Sequence, residues 1–240
     1  GDGQCGNSAM SQSFDKKFAQ RCAVCQLPLF DSAIAGLTRT TVLASDSIPN
    51  ASPDLIDSPL MRKADRELLS LALMDARNHT LHLFGQYQNA LETTGFAVPL
   101  LATLNPPLWE LGHVAWFQER WIGRNLQRAR GTRCDSSQAR QASIEPSADR
   151  WWDSDQVPHD SRWTLDMPDM ANCRAYLLNT LESTLELLEK ADSDDDALYF
   201  YRLCLFHEDM HGEALTTMAQ TIGLSLDKPL QSAFTPPPMA

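Results

Sequence analysis

The sequence lacks any excess of positive charge and any long apolar run. It carries 20 lysines and arginines against 31 acidic residues, a formal net charge of -11. A protein that binds a nucleic-acid backbone needs clustered basic residues, so this balance argues against a nucleic-acid partner. No stretch approaches the roughly 20 apolar residues of a membrane span, and no basic segment precedes an apolar run at the N-terminus. We therefore expect neither a membrane partner nor a secretory signal.

Cysteine is also scarce. Six cysteines in 240 residues do not make a disulfide framework in a chain of this length, so the cytosol is the simplest compartment. Cys22 and Cys25 have the spacing of half a zinc knuckle. No second pair of Cys or His follows nearby, which makes a metal site there a weak interpretation.

The two ends of the chain differ in composition from its middle. Residues 1–60 are rich in Gly, Ser, Asp and Pro and contain only short apolar runs. We predict a mobile arm there, with one short helix near residues 14–25. Prolines near the other end predict an extended tail or linker over residues 226–240. The folded domain is expected to span residues 62–225.

Four segments of that domain show helical periodicity. Apolar residues at spacings of three and four predict helices over about 64–91, 106–128, 170–191 and 197–222. Asn105 is expected to cap the second helix and Asp169 the third, while Gly223 ends the fourth. Four long amphipathic helices predict an all-α fold, a four-helix bundle.

A long connection rich in tryptophan joins the second and third predicted helices. Residues 129–168 contain Trp151, Trp152 and Trp163. A loop of this length inside a compact domain is usually functional or disordered, and the aromatic residues argue against disorder. We expect the connection to fold over the end of the bundle. Trp151 and Trp152 would then plug the core or line a cleft, and we favour the plug.

The functional interpretation depends on His207 and His211. Residues four apart on a helix point the same way, and neutral imidazoles so placed can bind one metal ion. Their helical neighbours are apolar, so an unpartnered polar group there would cost free energy. Two core histidines satisfied by hydrogen bonds are the alternative. A metal is the better account.

His113 is the candidate third ligand. It lies on the second predicted helix and shares a face with Trp116, Arg120 and two further aromatic residues. A lone histidine among aromatics is usually structural. The HxxxH pair on another helix changes that interpretation, because bundle cores are where facing helices build metal sites.

Polar residues also interrupt the apolar face of the first predicted helix. Such groups need partners, so they would line a site or bond to its ligands. Hydrogen-bonded core residues, or residues at the rim of the face, are an equally good alternative. The candidates for contacting the metal ligands or lining the pocket are Glu208, Asp75, His79, His82, Trp116 and Arg120. No residue is assigned a catalytic role.

The string His207-Glu208-Asp209-Met210-His211 also matches the zinc-protease motif, in which the glutamate is the general base. A third ligand normally follows that motif downstream. No histidine follows His211, so we do not favour a protease.

Two segments resemble a known family. Residues 105–119, NPPLWELGHVAWFQE, resemble the NPPxWxLGHxxWFxE signature of the ergothioneine-biosynthesis sulfoxide synthases. Residues 206–215 are similar to the HExxHxE-type motif of the same enzymes, and Arg77, Thr80 and Leu83 resemble their first helix. The order of the motifs is that of the DinB-like four-helix bundle at the N-terminus of these proteins. The resemblance covers about residues 62–225.

The resemblance implies a mononuclear non-haem iron(II) held by a three-histidine facial triad, here His113, His207 and His211. It implies dioxygen as a reactant and trimethylhistidine as a substrate, whose imidazole is joined at C2 to a thiol donor to give a sulfoxide. Residues 149–155 depart from the Asn-Ser-Tyr-Tyr-like segment usual in that connection. They look closer to the selenoneine synthases, which use a selenosugar donor.

The family also carries a C-terminal domain similar to the formylglycine-generating enzyme, which supplies much of the substrate pocket and an acid–base tyrosine. We expect that domain to lie beyond Ala240, so that residues 1–240 bind metal but form little product. Zinc or another divalent metal would accept the same three histidines. A stand-alone DinB-like metal-dependent thiol S-transferase and a non-catalytic metal-binding module are the alternative functions.

Overall fold

A computed structural model describes residues 59–227. The predicted arm, its short helix near residues 14–25 and the pair Cys22 and Cys25 lie outside the described residues. So does most of the predicted tail over residues 226–240.

All regular secondary structure in residues 59–227 is helical, which confirms the all-α class. The α-helices are α1 (Arg66–Leu91), α2 (Pro107–Gln118), α3 (Ala148–Trp152), α4 (Met170–Glu189) and α5 (Asp195–Thr221). Shorter 3-10 segments are Pro59–Lys63, Glu92–Thr94, Arg128–Arg133 and His159–Thr164. In this described part, no helix is both long and apolar enough to cross a bilayer.

The four long helices pack around a main core, and a smaller apolar cluster lies between α1 and α5. Helix α1 packs mainly against α5, α2 mainly against α4, and α2 also contacts α5. Two predicted helix boundaries are confirmed: the Asp169 carboxylate accepts a hydrogen bond from the Asn172 amide at the start of α4, and Gly223 takes a φ of 72° after α5. That left-handed conformation suits glycine because it has no Cβ.

The prediction for the second helix was wrong at both ends. Helix α2 begins at Pro107, and Asn105 does not cap it, because its side chain donates instead to the Glu110 carboxylate at 2.5 Å. The helix ends at Gln118 and widens into a π-helical turn over Glu119–Gly123. The Glu119 carboxylate is buried there and accepts hydrogen bonds from the long connection and from α4. These tertiary bonds replace the straight continuation that the periodicity predicted.

The tryptophan-rich connection does plug the core, as we favoured. Trp152 is 0% exposed and lies flat against Tyr176, with ring centroids 5.1 Å apart. It also lies so close to Gly112 that a Cβ on that residue would meet the indole ring at 2.0 Å. Glycine at this position of α2 is therefore required by the plug. Trp151 is only half-buried.

One buried arginine on α1 ties the long helices together. Arg77 is 1% exposed, and its guanidinium donates to both carboxylate oxygens of Glu208 on α5, at 2.7 and 3.0 Å. It also donates to the Gln118 side chain on α2 at 2.6 Å and to the Leu177 carbonyl on α4. A charge buried this deeply is tolerated only when it is paired and hydrogen-bonded. The pair Arg77–Glu208 meets both conditions.

Candidate metal centre

The structure brings the three predicted histidine ligands together. His113 lies on α2, and His207 and His211 lie one turn apart on α5. One ligand nitrogen from each falls within 4.8 Å of the others, and all three residues are buried. Among residues 59–227 this is the only such grouping of three His, Cys, Asp or Glu residues. Divalent ions bind imidazole nitrogen at about 2.1 Å, so the three nitrogens would have to move closer together to bind one ion.

His113 is oriented by a backbone carbonyl of the plug. Its Nδ1 lies 2.8 Å from the Trp152 carbonyl oxygen. A carbonyl only accepts, so Nδ1 carries the proton and Nε2 is the nitrogen left to bind metal. The ring is stacked against Trp109, with centroids 4.6 Å apart and planes 11° apart. Burial, with a smaller contribution from His211, lowers the pKa of His113 to about 3.

His211 is oriented by a buried carboxylate. Its Nδ1 lies 2.5 Å from Glu110 Oε2, and Glu110 is 1% exposed. Burial alone would raise the pKa of Glu110, but His211, His113 and Asn105 together outweigh it and hold the pKa at about 2. Glu110 is therefore a carboxylate, and it accepts a hydrogen bond from the Nδ1–H group of His211. The Nε2 of this ring is then the nitrogen that could bind a metal.

His207 is held by stacking. Its ring lies parallel to Phe117, with centroids 3.6 Å apart and planes 5° apart. Burial first, and then the neighbouring His211 and His113, lower the pKa of His207 well below its ordinary value. A metal ligand must be deprotonated, so a neutral imidazole at neutral pH suits this position.

Glu208 follows His207 in the chain but points elsewhere. Both of its oxygens are bonded to Arg77, and its side chain is 3% exposed. Because both oxygens already accept hydrogen bonds from Arg77, Glu208 is not placed to act as the general base of a zinc protease, and we discard that alternative. Its role in the structure is to pair with the arginine that joins the helices.

Trp116 and Arg120 lie beside His113. The Trp116 ring is stacked on His113 at 5.6 Å, and its indole donates to Asp149 at 2.7 Å. The Arg120 guanidinium lies over the Trp116 ring at 5.1 Å and 3.5 Å from the Asp153 carboxylate. The Arg120 side chain is 26% exposed. These two residues extend the site from the buried ligands toward the surface.

The polar residues of α1 lie outside the histidine cluster. Asp75 and His79 are half-buried, and burial raises the pKa of the first and lowers that of the second. His79 rests on the backbone of α5 at Gly212, whose Cβ would lie 3.3 Å from the imidazole. His82 is exposed and bonds to Gln86 at 3.2 Å. Its exposure places His82 at the rim of the helix face.

Sequence reasoning missed the two acceptors that orient the ligands. Glu110 had a detectable signal, because a carboxylate inside an otherwise apolar and aromatic helix must find a buried partner. It lies one helical turn before His113. The Trp152 carbonyl had none, because a backbone acceptor carries no residue type.

Comparison with known proteins finds a similarity to an oxygenase. The chain is similar to hercynine oxygenase of Mycolicibacterium smegmatis (strain ATCC 700084 / mc(2)155), with 29% identity over 173 residues. The alignment covers 72% of this chain and 36% of that protein. The chain therefore spans little more than a third of the relative's length. No protein-family model matches the chain. The likeness agrees with the resemblance in the sequence motifs at the level of a related oxygenase.

Proposed function

We propose that residues 62–225 form the metal-binding domain of a non-haem iron(II)-dependent oxygenase, with His113, His207 and His211 as the ligands. The reaction proposed is the joining of sulfur or selenium to the imidazole of trimethylhistidine. The observation that carries the proposal is the meeting of three buried imidazoles from two helices. The likeness to a hercynine oxygenase, named for its substrate and its reaction, supports the choice of chemistry.

The donor set suits this chemistry. Three neutral nitrogen ligands on one face leave up to three positions open, enough for a substrate and dioxygen together. Iron(II), when bound, would supply the activation of dioxygen. The protein's part is to keep the rings fixed, through the Trp152 carbonyl and Glu110, and to keep water away with Trp109, Trp116 and Phe117.

The donor and the remainder of the pocket belong to the proposal as well. The second substrate is a thiol or a selenosugar, and dioxygen is the oxidant. On the strength of the motif resemblance, we assign much of the substrate pocket to a C-terminal domain similar to the formylglycine-generating enzyme. The cytosol, predicted from cysteine usage, is the proposed compartment.

Metal binding is tested first, on the full chain loaded with iron(II) without air. We expect one iron per chain and a large loss of iron in His113→Ala, His207→Ala and His211→Ala. His82→Ala is the matched control, because His82 is an exposed histidine of α1, and it should keep the parent iron content. Full iron occupancy in His113→Ala would show that the metal is not held by His113, His207 and His211 together.

Activity is tested next, with trimethylhistidine and either a thiol or a selenosugar under air. Oxygen uptake and product mass are followed for residues 1–240 and for a protein that also carries the additional domain. We expect product only from the longer protein. Thiol conjugation without oxygen uptake would instead favour a DinB-like thiol S-transferase, in which zinc holds the same histidines with a water.

A further inference from the structure

A line of hydrogen bonds runs from the tryptophan-rich connection to one of the metal ligands. It begins at Arg162 in the segment His159–Thr164, whose guanidinium donates to the Asn105 side-chain oxygen at 2.8 Å. The Asn105 amide then donates to Glu110 Oε1 at 2.5 Å. The other oxygen of Glu110 accepts from His211 Nδ1 at 2.5 Å. Two side chains, Asn105 and Glu110, thus separate the connection from the ligand.

Each member of this line has one orientation that satisfies its neighbours. Arg162 only donates, so Asn105 must turn its oxygen to Arg162 and its amide to Glu110. Glu110 accepts on both sides, as only a carboxylate can in this place. Asn105 is 7% exposed and Glu110 1%, so a reversed group would lose its partners where water cannot replace them. The orientation of His211 is therefore set from outside the helix that carries it.

Arg162 reaches a second ligand by stacking. Its guanidinium lies over the Trp109 ring at 3.7 Å, and the other stacking partner of Trp109 is His113. The segment is itself anchored, since His159 bonds to the Leu104 carbonyl at 2.8 Å. Trp163 donates to the Val98 carbonyl at 2.9 Å. The segment His159–Thr164 is therefore linked to two of the three ligands, to His211 through hydrogen bonds and to His113 through stacking on Trp109.

We propose that Glu110 is the positioning residue of the metal centre, and that Asn105 and Arg162 hold it there so that the docked segment His159–Thr164 sets metal affinity. This inference rests on the metal site proposed above and adds which residues outside the triad control it. A partner that orients a ligating histidine typically changes metal affinity by about 10–100-fold when it is removed.

The test is a titration of the metal-free full chain with cobalt(II), followed by its visible absorption. Position and intensity of the cobalt bands report ligand geometry, which a loss of stability alone does not move. We expect Glu110→Gln to weaken cobalt binding by about 10–100-fold and to change the bands. Arg162→Met should act in the same direction but more weakly, because it leaves the carboxylate in place.

Glu119→Gln is the matched control. Glu119 is also buried, lies just after α2, and accepts hydrogen bonds from Ser143, Ile144 and Tyr176 rather than from a ligand. We expect it to keep the parent cobalt affinity and bands even where its thermal stability falls. If Glu110→Gln fails to fold, the half-buried Arg162→Met decides the question alone.

The outcomes separate this inference from the proposed function. Parent affinity and parent bands in both Glu110→Gln and Arg162→Met would overturn the positioning role while leaving the metal site intact. A parent chain that binds no cobalt would overturn the site and this inference together. Oxygenase activity enters neither result.

Discussion

Glu208 and Glu110 are both buried carboxylates beside the three histidines, and they differ in what they hold. Glu208 is the sequence neighbour of His207 but gives both oxygens to Arg77. Glu110 lies on a different helix from His211 and bonds to it directly. Successive residues of a helix point about 100° apart, so adjacency in the chain places a side chain away from its neighbour's target. Glu208 helps to hold the helices together through Arg77, and Glu110 orients the His211 ring.

The partners explain the difference in expected energetics. Arg77 is a permanent cation, so losing either member of its pair leaves an uncompensated buried charge. His211 is an imidazole that can be neutral, so losing Glu110 leaves a polar group and no charge. We therefore expect folding to depend more on the first carboxylate and metal binding more on the second.

Removing Arg77 should give the largest effect on folding. Arg77→Met leaves Glu208 charged and unpaired at a side-chain exposure of 3%, which costs roughly 3–5 kcal/mol. Urea unfolding of the metal-free protein measures it. The double variant Arg77→Met/Glu208→Met removes both charges and should recover part of the loss, although Gln118 and the Leu177 carbonyl still lose their donor. A double variant no more stable than the single one would show that the unpaired charge is not the cause.

Gly112→Ala tests the plug that serves His113. The added Cβ would meet the Trp152 ring at 2.0 Å, and the buried indole must move. We expect a loss of about 3 kcal/mol together with weaker metal binding, because the Trp152 carbonyl moves with its ring. Gly85→Ala on α1 is the matched control: nothing lies within 4 Å of its Cβ, and alanine should stabilise the helix by roughly 0.5–1 kcal/mol. Intact metal binding in Gly112→Ala would mean that His113 does not need the carbonyl.

Glu110→Gln should lower metal affinity more than stability, the reverse of what we expect for Arg77→Met. A glutamine can accept from His211 or from Asn105 but not from both, and the unmade bond costs about 1–2 kcal/mol. Urea unfolding and cobalt titration of the two single variants, Glu110→Gln and Arg77→Met, make the comparison. We expect the glutamine variant to be the more stable protein and the weaker metal binder. The opposite order in either measurement would contradict the division of roles between the two carboxylates.

Much of the fold was predictable because it depends on burial pattern and local caps. The apolar spacing of the four long helices and the caps at Asp169 and Gly223 are readable within a few residues of chain. Asn105 shows where this fails: its cap preference is local, but its amide serves Glu110 across the structure. A tertiary hydrogen bond outweighed a helix-cap preference.

The candidate site was predictable to a lesser degree. The pair His207 and His211 followed from helical spacing, whereas His113 was predicted only because that pair lies on another helix, since nothing in its own helix says which other helix it will face. Glu110 and the Trp152 carbonyl meet their ligands over separations of 101 and 39 residues. Such contacts depend on how the helices pack, and periodicity within one segment contains no information about that.

The smallest effect is expected at a third carboxylate, which tests how far burial matters to the comparison. Asp149 has a side chain that is 41% exposed. Hydrogen bonds from Arg124, with a further one from Trp116, outweigh its partial burial and hold its pKa at about 2, below the ordinary 3.8.

A folded-state pKa below the unfolded one stabilises the protein above about pH 4, and that contribution disappears as the pH falls toward 2. Solvent screening keeps the contribution below about 1 kcal/mol, so Asp149→Asn should lower the melting temperature slightly at pH 7. The parent and variant melting curves should converge only below about pH 2. A difference in melting temperature that persists at that pH would mean that Asp149 contributes its hydrogen bond with Trp116 rather than its charge. Exposure of the carboxylate would then not explain why Asp149 contributes less than Glu110 and Glu208.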